Sequence, residues 1–103
     1  MKYIKKFEEL NADSIDKYKK YVLYKANSNT YFILEPVAYL PTYIEANKKY
    51  TYLLNKNKLK HNRYQYYNFN YDKGDKNIVY QSDDLNEVKD MALALSDISK
   101  YNI

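Results

Sequence analysis

The chain has 103 residues, no cysteine and a formal net charge of +4. That length suits one domain spanning residues 1–103, large enough for a single core without staples. The absence of cysteine excludes disulfides and thiolate metal sites and fits a reducing compartment. The longest apolar runs are a few residues, far below the roughly 20 a membrane helix needs. The charged start Met1-Lys2-Tyr3-Ile4-Lys5-Lys6-Phe7 lacks the apolar stretch of a signal peptide. The expectation is a soluble, cytoplasmic domain with no membrane partner.

Leu, Ile, Val and Phe number only 24, whereas Tyr numbers 15. Tyrosine therefore has to supply much of the core, and its hydroxyls then need partners or water. Lys, Asn, Tyr and Ile make up 50 residues against 10 for Gly, Ala, Arg and Pro. This split follows AT-rich against GC-rich codons, so part of the Lys and Tyr content reflects the genome and not the function.

In chain order, Tyr3, Ile4, Phe7 and Leu10 lie at helical spacing and predict a short N-terminal helix over residues 2–10. Asn11-Ala12-Asp13-Ser14 reads as a turn or a second helix start. Tyr21–Tyr24 and Thr30–Leu34 flank Asn27-Ser28-Asn29 and predict a hairpin in which Asn accommodates positive φ. Pro36 and Pro41 then punctuate the chain, and Thr42 with Glu45 matches a capping box that predicts one turn of helix. A strand is expected at Tyr50–Leu54, followed by a turn at Asn55–Lys58.

Arg63–Tyr71 predicts another strand, but its aromatics change phase. Tyr64 and Tyr66 share one parity, while Tyr67, Phe69 and Tyr71 share the other, so either both faces are covered or a bulge sits near Tyr66-Tyr67. Gly74, the only glycine, is placed to supply positive φ in a hairpin turn. It leads to a strand at Asn77–Gln81. Ser82 or Asp83 then caps an amphipathic helix carrying Leu85, Val88, Met91, Ala92, Leu95 and Ile98. The fold class is α+β: an antiparallel sheet of about four to five strands, with the C-terminal helix packed on one face.

No catalytic, metal or cofactor motif is present, and the expectation is a non-enzyme without cofactors. His61, the only histidine, lies among positive charges with no carboxylate or serine partner near it in sequence. An enzyme built on His61 would need an ordered cleft around it. Asp72 and Asp75 suit a turn, and Asp83, Asp84 and Glu87 suit a helix start. With one glycine there is no phosphate loop.

Charge is distributed unevenly. Residues 46–76 carry +6, residues 77–103 carry −3, and no acid occurs between Glu45 and Asp72. In that acid-free stretch Lys48, Lys49, Lys56, Lys58, Lys60 and Arg63 alternate with Tyr50, Tyr52, Tyr64, Tyr66, Tyr67, Phe69 and Tyr71. Tyrosine is enriched at protein interfaces, so the leading expectation is a protein-binding module. Its binding residues would be Lys56, Lys58, Lys60, Arg63, Tyr64, Tyr66 and Tyr67. The alternative is direct binding of single-stranded DNA or RNA by segment 48–71, with rings stacking on bases and cations on phosphates. A homodimer is compatible with either.

In size, AT bias and the run Lys5-Lys6-Phe7-Glu8-Glu9, the chain is similar to accessory proteins of phages and mobile elements, anti-CRISPR inhibitors among them. The resemblance implies an inhibitor that occludes a host nucleic-acid-handling protein.

Overall fold

The computed structural model describes residues 18–101, with side chains described for residues 18–95. The helix expected over residues 2–10 and the turn at 11–14 lie outside the described residues.

The fold is α+β. Its strands are β1 (Tyr21–Asn27), β2 (Thr30–Tyr39), β3 (Tyr43–Leu53), β4 (Lys58–His61), β5 (Tyr66–Asn70) and β6 (Ile78–Ser82). They form one six-stranded sheet in the order β4-β3-β2-β1-β6, with β5 also pairing β3. All pairings are antiparallel. A four-residue helix α1 (Tyr71–Gly74) and a 3₁₀ turn (Asp75–Asn77) join β5 to β6, and a long helix α2 (Leu85–Tyr101) follows. The strand missed from sequence is β4, which is short and half lysine.

The hairpin forms where expected, but Ser28-Asn29 turns without positive φ. Instead the Asn27 Oδ1 accepts the Asn29 N–H at 2.9 Å, an Asx turn. The turn before β4 does use positive φ, at Asn57 (51°). Further expectations are corrected. The capping-box pair Thr42 and Glu45 does not start a helix, since β3 begins at Tyr43. Three apolar residues behind the motif could not hold a helix against eleven residues of strand pairing. β2 likewise runs through Pro36, which lies beyond Leu34, the last β2 residue paired with β1. There the strand has become an edge and tolerates a missing N–H.

Each face of the sheet has its own core. One face packs Leu23, Tyr31, Ile33 and Tyr52 against Val88 and Ala92 of α2, with Leu59, Tyr80, Leu85, Met91 and Leu95 around them. The opposite face buries Val22, Tyr24, Leu34, Ile44, Ala46 and Phe69 with Tyr18. Rings of β5 reach β1 across it: Tyr24 lies 5.2 Å from Tyr67 and 5.5 Å from Phe69, centroid to centroid. Since β3 and β2 separate these strands, the sheet curls around this face. Segment 71–77 closes the curl, with the Asn77 side-chain amide donating to the Tyr24 hydroxyl at 3.2 Å.

The helix α2 starts as its sequence asks, one residue later than expected. Asp84 is the N-cap, its Oδ1 accepting the Asn86 N–H at 2.9 Å. Ser82, 8 % exposed, accepts the Asp84 N–H at 3.0 Å and donates to Glu87. Among the described residues no helix is long and apolar enough to cross a membrane.

Candidate functional site

The acid-free stretch occupies one edge of the sheet. β4 and β5 lie end to end along β3: Tyr50–Leu53 pairs with β4, and Tyr43–Asn47 pairs with β5. Between them residues 62–65 leave the ladder. The Asn62 N–H still reaches the Lys49 carbonyl at 2.8 Å and the Lys48 N–H reaches the Gln65 carbonyl at 2.9 Å, so Arg63 and Tyr64 are the extra residues. Tyr64 adopts φ 58°, a left-handed conformation uncommon for a bulky residue.

A second irregularity sits at the same level. Ile33 pairs with Tyr50 but Leu34 pairs with Lys48, which leaves Lys49 as an extra residue in β3. Tyr66 and Tyr67 do face opposite sides, but by the ordinary alternation of β5, which pairs without a register shift; the bulge lies earlier than expected, at Arg63-Tyr64. Tyr67 and Phe69 turn into the curled core, whereas Tyr66 points away from it and is 71 % exposed.

The break opens a hollow of about 340 Å³, lined by Asn47, Lys48, Lys49, His61, Asn62, Arg63, Tyr64, Gln65 and Tyr66. Tyr64 stands at its rim, 92 % exposed. Lys49 is paired with Glu35 at 3.2 Å. The Lys48 Nζ lies 3.9 Å from the Phe32 ring centroid and 5.6 Å from that of Tyr67. Burial holds this ammonium below the usual lysine range. The exposed His61 packs edge-on against Tyr50 at 5.1 Å. A second hollow beneath segment 71–77 is lined by Tyr24, Tyr43, Phe69, Gly74 and Asn77, with Lys73 as its one cation.

Of the seven residues expected from sequence, Arg63, Tyr64 and Tyr66 meet at the hollow. Lys58 and Lys60 flank Leu59, which points into the helix-covered core, so both project from the opposite side of the sheet. Lys56 is exposed in the preceding turn. Tyr67 is half-buried between Tyr24 and Phe32. Burial, then its hydrogen bond with Tyr24, pushes its phenol up to about 12. Lys48 and Lys49, inside the expected segment 48–71 but not among the seven, also line the hollow. Their distance in the chain from Arg63 hides a contact that only the β3–β5 pairing creates.

Among the described residues no cluster of three or more His, Asp or Glu side chains is placed to hold a metal ion. Comparison with protein-family models, curated proteins and solved structures gives no match.

Proposed function

We propose that this chain is a non-catalytic binding module that docks on a partner protein through the β4–β5 edge. It would act as an inhibitor or adaptor that covers an acidic surface of a nucleic-acid-handling protein. The observation that carries the reading is the pair of large rings, Tyr64 and Tyr66, left exposed beside cationic side chains on an edge that is otherwise polar. Most tyrosines of the sheet are drawn into its two cores, so exposure of these two stands out against the other described tyrosines. Large, stiff aromatics surrounded by polar groups are the usual anchors of protein interfaces.

The single-strand reading draws on the same residues with less support. A strand needs rings and cations along one track, but Lys58 and Lys60 project from the side of the sheet opposite Leu59, while Tyr66 points away from the curled core on that side. Tyr67, a further stacking candidate, already has its ring engaged.

Photo-crosslinking from position 66 tests the reading in the cells where the protein acts, with position 93 on the outer side of α2 as reference. A discrete protein adduct from position 66, absent from position 93, is expected. Adducts from position 93 alone, or nuclease-sensitive adducts from position 66, would overturn docking through this edge.

A further inference from the structure

We infer that the hollow at the β4–β5 break seats a carboxylate from an acidic peptide segment of the partner protein. The inference rests on the protein-docking reading and adds the chemistry that would be recognised. Two backbone irregularities at one level of the sheet, Lys49 in β3 and Arg63-Tyr64 between β4 and β5, hold the edge open. Lys48, Lys49, His61 and Arg63 line the opening. Among the described residues only Glu35 brings a carboxylate to any of them, and it is engaged with Lys49.

Lys48 and Arg63 thus line the hollow without a carboxylate partner among the described residues, Arg63 from the open edge and Lys48 with its ammonium turned to the curled-core side, beside Phe32 and Tyr67. The two differ in a useful way. The Lys48 ammonium, lodged against Phe32 and Tyr67 on the curled-core side, adds positive potential at the break without touching the anion. Arg63 is exposed and carries the planar fork that binds a carboxylate through two parallel hydrogen bonds. The side-chain amides of Asn62 and Gln65 and the rings of Tyr64 and Tyr66 surround the position. They supply hydrogen bonds and cover for a peptide backbone. A single local seat suits one side-chain oxyanion, whereas a phosphodiester strand calls for a row of cations.

The test is an NMR titration of the isotopically labelled full chain with a short, doubly capped poly-aspartate peptide and, separately, with an oligothymidylate. Saturable shifts at the Lys49, Asn62, Arg63 and Gln65 amides are expected with the peptide. Arg63→Gln should weaken peptide binding at least about fivefold, as loss of a charge-assisted fork would. Lys56→Gln should weaken it less than about twofold, as for a solvated charge. Unchanged amide dispersion elsewhere verifies the fold of each variant.

Equal losses in the two variants, or shifts that never saturate, would overturn the seat as a site distinct from general positive charge. Saturation by oligothymidylate without saturation by peptide would make the bound oxyanion a phosphodiester and overturn it equally. If the position-66 protein adduct persists in Arg63→Gln while the peptide gives no local shifts, docking stands and the carboxylate seat falls.

Discussion

A Cβ placed on Gly74 would lie 2.6 Å from Cδ2 and 2.9 Å from Cβ of Phe69. The sole glycine is therefore required by close approach and not by its backbone, which is helical at φ −68°. Phe69 cannot retreat, being 3 % exposed and set against Tyr18 at 5.8 Å and Tyr24 at 5.5 Å. Gly74→Ala should destabilise the fold by about 1–3 kcal/mol, the usual cost of overpacking. In an open helix the same change would stabilise by up to about 1 kcal/mol, so the sign of the shift in urea midpoint decides the matter. Phe69→Leu should recover part of the loss in the double variant.

The phenol of Tyr67 gives the fold an alkaline weakness. Its pKa is raised from the ordinary 10.0 to about 12, so the folded state holds the proton more tightly than the unfolded chain does. The stability this contributes is complete below pH 10.0 and is lost as pH rises through about 12. Tyr67→Phe should cost about 1 kcal/mol at neutral pH through the lost hydrogen bond with Tyr24. The gap between the two proteins should narrow as urea midpoints are followed through that alkaline window. A constant gap would contradict the assignment.

Tyr64 holds an unfavourable backbone conformation while its ring faces solvent. Asn accepts φ near 58° more readily. Tyr64→Asn should therefore raise stability by about 0.5–1 kcal/mol. The same substitution should abolish cross-linking to the partner from position 66. Thermal unfolding and adduct yield, measured on one preparation, would expose stability and binding moving in opposite directions.

Asp84→Ala should lower stability by about 1 kcal/mol, within the usual range for a lost N-cap. The change removes the acceptor of the Asn86 N–H. Asp83→Ala serves as the comparison, because Asp83 instead receives the Lys20 N–H at 2.9 Å. Amide exchange in the first turn of α2 should quicken in the first variant only.

Local chemistry was the legible part of this fold. The Asn27–Asn29 turn, the Asn55–Lys58 turn and the stripe from Leu85 to Leu95 are all written within a few neighbouring residues, and each predicts its element. What escaped depends on distant partners. Pro36 reads as a breaker until β2 is known to have run past its β1 neighbour. Thr42-x-x-Glu45 reads as a cap until β5 is known to pair alongside. Gly74 is explained only by a ring five positions earlier in the chain that folds back onto it. The candidate site divides in the same way. Exposed Arg63, Tyr64 and Tyr66 lie in one short stretch, but Lys48 and Lys49 join them only across the β3–β5 ladder, and the burial of Tyr67 depends on how the sheet curls.

The extra residue at Lys49 gives β3 a double allegiance. Ile44 and Ala46 serve one interior, and Tyr50 and Tyr52, of the same parity, serve the other. One continuous strand is thus a party wall between two rooms that share backbone hydrogen bonds but few side chains. Damage in one room should stay there: a cavity made at Tyr52 ought to leave the ring stacking around Phe69 undisturbed. The opening midway along that wall, where Arg63 and Tyr64 stand, could then be refashioned for a new partner without either interior being rebuilt.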